Sequence, residues 1–116
     1  MKLFGRRALI TGASRGFGQA VARAFAVAGA DVTICARDAV ALAESRDAVA
    51  AGLGNARVLA LPADVTDPDA MVNLVAASEA EFGPLDILVS NAGVYGPKGS
   101  IQDVDWSDWT DAITIN

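Results

Sequence analysis

Apolar residues along the chain fall into two alternating patterns. Four short, nearly continuous apolar runs, at 8–11, 32–36, 57–61 and 86–90, predict strands buried on both faces. After the first run the apolar residues return at a helical interval. Phe17, Ala20, Val21, Ala24, Phe25 and Ala28 fall on one stripe, and Gly29 ends it. A weaker helical pattern over 39–49 follows the second run and stops near Gly52 and Gly54. Asp67 before Pro68 predicts the start of a third helix, because an Asp side chain accepts from the first free N–H groups and Pro suits the first helical position. Met71, Leu74, Val75 and Phe82 form its expected buried face, and Gly83-Pro84 stops it. A loop with Gly and Pro over 93–99 and a helix starting near Asp105 or Ser107 complete the pattern. Strands separated by helices of this length do not pair as hairpins. They form right-handed β-α-β crossovers in a parallel sheet covered on both faces, an α/β fold.

Composition narrows the function classes. With 116 residues and 53% hydrophobic content, one domain over 1–116 is expected, and no internal linker or repeat divides it. Nine Lys and Arg against fourteen Asp and Glu give a formal net charge of -5, which argues against nucleic-acid or anionic-membrane partners. The chain has no His, so Ser-His-Asp catalysis, Cys-His catalysis and His-containing metal sites are absent from it, and no metal is expected. Cys35 is the single cysteine and has no internal partner. A cysteine-poor acidic chain with no apolar run long enough for a bilayer and no signal-peptide pattern leads us to expect a cytoplasmic protein.

The densest chemical signal lies where the first strand meets the first helix. Thr11-Gly12-Ala13-Ser14-Arg15-Gly16-Phe17-Gly18 places three glycines on one strand-to-helix turn. Glycines let backbone N–H groups approach a ligand, and a helix N-terminus favours an anion, so the loop suits a pyrophosphate. The spacing G-x-x-x-G-x-G differs from G-x-G-x-x-G, and no Lys follows as in a P-loop. The end of the second strand tells the two nicotinamide dinucleotides apart. An acidic residue there holds a ribose 2′-OH, whereas Arg suits a 2′-phosphate. Here the strand ends in Ala36 and Arg37 follows, with Arg15 in the glycine loop available to the same phosphate. Asp38, one position on, has two readings: it holds a 2′-OH, or it caps the next helix.

These residues, with Asp64-Val65 after the third strand, Asn91-Ala92-Gly93 after the fourth and Asn116 beyond, resemble the short-chain dehydrogenase/reductase family, in its branch of small single-domain enzymes. The resemblance covers nearly the whole chain. It implies a Rossmann-like doubly wound parallel sheet of strand order 3-2-1-4. It also implies an NAD(P)-dependent oxidoreductase that moves hydride between nicotinamide and a carbonyl or alcohol substrate, with NADP favoured over NAD. Gly12, Gly16, Phe17 and Gly18 would cradle the pyrophosphate, mainly through backbone. Ser14, Arg15 and Arg37 would meet the adenosine ribose and its 2′-phosphate. Asp64 would bond the adenine amino group, with the Val65 backbone beside it, and Asn91, Ala92 and Gly93 would line the cofactor. Asn116 would be the Asn of the catalytic set. A homo-oligomer is implied for the full-length form.

The Tyr and Lys of the family's acid–base pair, four residues apart on one helix, and its Ser have no counterpart within 1–116. Tyr95 and Lys98 are three apart among Gly96, Pro97 and Gly99, which preclude a helix, so Tyr95 reads as a substrate-loop or packing residue. Trp106 and Trp109 read as packing or interface residues. The chain is therefore expected to be the N-terminal, cofactor-binding portion of a longer enzyme, and inactive alone. A non-catalytic NADP-binding module is the alternative. A nucleotide-fold methyltransferase is disfavoured by Ala36-Arg37.

Overall fold

The computed structural model describes residues 2–92. Strands and helices alternate: β1 (Arg7–Thr11), α1 (Gly16–Val27), β2 (Asp31–Ala36), α2 (Ala39–Ala50), β3 (Val58–Pro62), α3 (Pro68–Phe82) and β4 (Ile87–Val89). All pairings are parallel and the sheet order is β3-β2-β1-β4, the order the resemblance implies. Ala8 of β1 lies opposite Val32 of β2 and Ile87 of β4.

Alternating strand residues feed two cores. Ile10, Val32, Ile34 and Val58 pack with Ala22 and Ala26 of α1 and Leu42 and Val49 of α2 on one face. Leu9 and Cys35 pack with Leu74 of α3 on the other, with Met71 and Val75 beside them. The sheet is thus covered on both faces, as continuous apolar strands require. Leu9, Ile10, Ile34 and Leu42 are fully buried, and each such side chain contributes about 1.5–3 kcal/mol. One buried polar bond crosses the second core, between the Thr33 hydroxyl of β2 and the Ser78 hydroxyl of α3 at 2.6 Å.

The helix ends follow the capping chemistry. The Asp67 carboxylate accepts from the N–H groups of Asp69 and Ala70, with Pro68 at the first helical position. Asp38 caps α2 by accepting from Val40 and Ala41 N–H. Arg23 of α1 donates to the Val49 carbonyl at 3.0 Å and to that of Ala51, holding the other end of α2. The fourth strand is shorter than its apolar run. Asp86 leaves the ladder to bond Arg7, its N–H donating to the Arg7 carbonyl and its carboxylate accepting from the Arg7 N–H.

The buried face of α1 differs from the predicted stripe. Gly18, Ala22 and Ala26 face the sheet and Val21 and Phe25 are half-buried, whereas Phe17, Ala20 and Ala24 are exposed. The reason is steric. Gly18 lies against the Gly12 carbonyl so closely that a Cβ would fall 2.4 Å from its oxygen, and this contact sets the rotation of the helix. In α3, Phe82 is only half-buried and Ser78 takes a place in the buried face. The loop at 93–99, Tyr95, Lys98, the Trp pair and the helix from Asp105 or Ser107 lie outside the described residues. Among the described residues no helix is long and apolar enough to cross a membrane.

Candidate functional site

The sheet order puts a crevice at the carboxyl ends of β1 and β4. From β1 the chain moves to β2 on one side, and it later returns to β4 on the other. The loops after β1 and β4 therefore leave in opposite directions, the place where open α/β sheets bind ligands.

Short polar bonds hold the two loops together. The Thr11 hydroxyl, buried at the end of β1, accepts from the N–H groups of Asn91 and Ala92, both at 3.0 Å. It donates to the Val89 carbonyl at 3.5 Å. The Asn91 side-chain amide donates to the Gly12 carbonyl at 3.1 Å. Gly12 is required by this packing, since a Cβ there would lie 2.7 Å from the Ala92 Cα. Gly16 is required by backbone geometry: its φ of 61° is in the left-handed region, and nothing stands within 4 Å of where a Cβ would point. Ala13 is fully buried. Its N–H donates to the Cys35 carbonyl at 3.1 Å, and its carbonyl accepts from the Ser45 hydroxyl of α2.

A cleft of about 330 Å³ opens above these contacts. Gly12, Ser14 and Arg15 line it from the glycine loop, and Ala36, Arg37 and Asp38 from the end of β2. Ala63, Asp64 and Val65 after β3 and Asn91 and Ala92 after β4 complete the wall. Asp64 Oδ1 accepts from the Thr66 N–H at 2.9 Å and the Thr66 hydroxyl at 2.8 Å. The Thr66 N–H and then its hydroxyl hold the Asp64 carboxyl below the usual carboxylate range, and the charge of Arg37 adds to this. Burial pushes the Cys35 thiol up, against a smaller opposing effect of the Gly12 N–H, so this side chain stays protonated at neutral pH.

Two features make the cleft a place for an anion. The N-terminus of α1 has no side-chain cap, whereas α2 and α3 each have an Asp, so the first N–H groups of α1 are left to a ligand. Arg15 and Arg37 have no ion-pair or hydrogen-bond partner among the described residues. Arg6, Arg7, Arg23, Arg46 and Arg57 each bond a carboxylate or a carbonyl. The two unpaired guanidinium groups are the two that line the cleft.

The structure thus brings Gly12, Ser14, Arg15, Arg37, Asp64, Val65, Asn91 and Ala92 into one cleft. Gly16, Phe17 and Gly18 form the first turn of α1 beside it, with the Phe17 side chain 74% exposed and Gly18 buried. Asp38 caps α2 through Oδ1, and its Oδ2 has no partner among the described residues. Gly93 and Asn116 lie outside the described residues. Sequence reasoning missed the linking roles of Thr11 and Ser45. A hydroxyl at the end of an apolar strand was the available signal for Thr11; Ser45 gave none, because its partner lies 32 residues away.

A family model described as short chain dehydrogenase matches residues 6–116. Gluconate 5-dehydrogenase of Gluconobacter oxydans (strain 621H) is 40% identical over 116 residues, covering 98% of this chain and 43% of that protein. Cis-4-hydroxycyclohexanecarboxylate dehydrogenase of Sinomonas cyclohexanicum is 42% identical over 113 residues, covering 96% of this chain and 43% of that protein. Among solved structures, a short chain dehydrogenase from Mycobacterium smegmatis matches with a TM-score of 0.90 at 35% identity, over 98% of this chain and 47% of that one. Levodione reductase matches with a TM-score of 0.92 at 29% identity, over 97% of this chain and 44% of that one. The chain spans less than half the length of each of these proteins.

Proposed function

The chain belongs to the short-chain dehydrogenase family, and on that premise we propose that residues 1–116 form a dinucleotide-binding domain of an oxidoreductase that prefers NADP(H) to NAD(H) and interconverts an alcohol and a carbonyl compound. The observation that carries the cofactor preference is the pair of guanidinium groups without a partner among the described residues, Arg15 in the glycine loop and Arg37 after β2, which both line the cleft. Asp38, next to Arg37, has its Oδ1 engaged as the cap of α2.

The residues present fit the dinucleotide. The uncapped first turn of α1, Gly16 to Gly18, holds the pyrophosphate through N–H groups. Ser14, Arg15 and Arg37 hold the adenosine ribose and its 2′-phosphate. Asp64 has one oxygen committed to Thr66, and its second is available to the adenine amino group. Asn91, Ala92 and Gly93 line the cofactor farther along, and Asn116 belongs to the catalytic set. When bound, the cofactor supplies or accepts a hydride at its nicotinamide ring. The chain's own contribution is to bind, orient and hold charge. A cytoplasmic location and a homo-oligomeric full-length form belong to the same proposal.

A charge-assisted hydrogen bond is worth about 1.5–3 kcal/mol, and solvent at the cleft mouth favours the lower figure. Since about 1.4 kcal/mol is tenfold in affinity, removing Arg37 is expected to weaken NADPH binding about ten-fold or more. Titrating the protein and its Arg37→Asp variant with NADPH and NADH by calorimetry tests this. Wild-type preference for NADPH, inverted by the substitution, supports the reading. Tighter NADH binding by the wild type refutes it. The second reading is a non-catalytic NADP-binding module that uses the same cleft. NADPH-dependent turnover of any member of an aldehyde and ketone panel by the protein removes it.

A further inference from the structure

We infer that Ser45 is a positioning residue that ties the glycine loop to α2 and so fixes the loop for the dinucleotide. This rests on the dinucleotide reading above. Ser45 is 2% exposed and lies on the face of α2 that otherwise presents Leu42 and Val49 to the core. An apolar or small residue satisfies that packing, so burial alone gives no reason for a hydroxyl. The reason is the Ala13 carbonyl, to which Ser45 Oγ donates. Ala13 is fully buried, and a buried carbonyl without a donor is costly.

The bond has a consequence for the cleft. Ala13 is held from two elements at once, its N–H by the Cys35 carbonyl of β2 and its carbonyl by Ser45 of α2. Ser14 and Arg15, the next two residues, line the cleft. The helix that carries Ser45 is capped by Asp38, next to Arg37, which also lines the cleft. Ser45 therefore sets the distance between Ser14 and Arg15 of the glycine loop and Arg37 after β2, the residues assigned to the ribose and its phosphate. Without it the Ala13 carbonyl turns toward water and takes Ser14 and Arg15 with it. The loss falls on affinity as well as on stability.

The test compares three variants of the protein: Ser45→Ala, Ser45→Thr and Ser78→Ala. The last breaks the buried Thr33–Ser78 bond, a comparable polar contact whose residues do not line the cleft. NADPH affinity is read by calorimetry well below each variant's unfolding midpoint. Ser45→Ala is expected to bind about ten-fold more weakly, while Ser78→Ala loses stability and keeps wild-type affinity. Ser45→Thr, which keeps the hydroxyl, is expected to stay within about three-fold of wild type. Unchanged affinity in Ser45→Ala overturns the inference. So does an equal loss in Ser78→Ala or in Ser45→Thr, or a Ser45→Ala protein that no longer folds, since Ser45 then supports the fold at large. A wild-type protein that does not bind NADPH overturns the dinucleotide reading itself, and is told apart by that first titration.

Discussion

Gly18→Ala is expected to break the junction between the glycine loop and the fourth strand. The added methyl would sit 2.4 Å from the Gly12 carbonyl oxygen, 2.6 Å from Asn91 Nδ2 and 3.0 Å from the Gly12 carbonyl carbon. Two of these atoms are backbone, so no side-chain rotation relieves them. Intrinsic helix propensity works the other way: Ala in place of Gly favours a helix interior by about 1 kcal/mol. Overpacking against backbone costs about 1–3 kcal/mol or more. The shift also breaks the Asn91–Gly12 bond of 3.1 Å, worth about 1 kcal/mol. The steric and hydrogen-bond losses outweigh the propensity gain, leaving a net destabilisation of about 1–3 kcal/mol. Gly54→Ala is the control, because nothing stands within 4 Å of the added carbon and the cleft is not involved. Its effect is expected within about 0.5 kcal/mol of zero. Equilibrium unfolding in urea reads both, with NADPH affinity measured beside it. A Gly18→Ala protein as stable as wild type would show that α1 is free to move outward, and the account of how the loop is held would be wrong.

Thr11→Val leaves the N–H groups of Asn91 and Ala92 without their acceptor and is expected to cost about 2 kcal/mol or more in urea unfolding, whereas Thr11→Ser costs less than half as much. The Asp64 carboxyl titrates below its ordinary value of 3.8 in the folded protein, so its turn with Thr66 stabilises the fold above that pH and is lost as pH falls through the lower folded value. Asp64→Asn should therefore remove a pH-dependent part of stability confined to the region below about pH 4, seen by comparing acid unfolding curves; identical curves would contradict this. A polypeptide of residues 1–116 alone is expected to show no carbonyl reduction with NADPH, because acid–base catalysis contributes about 10²–10⁴-fold and the Tyr-x-x-x-Lys pair is not within it. Turnover by that polypeptide, abolished in Tyr95→Phe, would show Tyr95 to be the proton donor.

Much of the architecture was legible because its signals are local. The β-branched and apolar runs marked all four strands, and Asp67-Pro68 marked a helix start through capping chemistry that acts within three residues. The face of α1 was not legible. Hydropathy gives no weight to Gly18 and does not tell Ala22 and Ala26 from Ala20 and Ala24, yet the close approach of helix to loop selects Gly18, Ala22 and Ala26 and turns Phe17 outward. In the candidate site, residues that line the cleft were visible as loop residues at strand ends. Residues that hold the cleft from behind were not. Thr11, Ser45, Thr33 and Ser78 are polar side chains buried by partners 32 to 81 residues away in sequence, and no local pattern announces such a pairing. That Asp38 caps α2 also needed the structure, since capping and ribose binding call for the same carboxylate at the same position; Oδ1 takes the cap, which leaves Oδ2 open.

On the proposed function, the cleft at the ends of β1 and β2 holds NADP(H) by its 2′-phosphate and pyrophosphate. A crystal structure of the protein grown with NADPH checks this. The 2′-phosphate is expected within about 2.7–3.2 Å of the Arg37 and Arg15 guanidinium groups, and the pyrophosphate on the first N–H groups of α1. A dinucleotide bound with its 2′-phosphate turned to solvent, or seated away from the glycine loop, would contradict it.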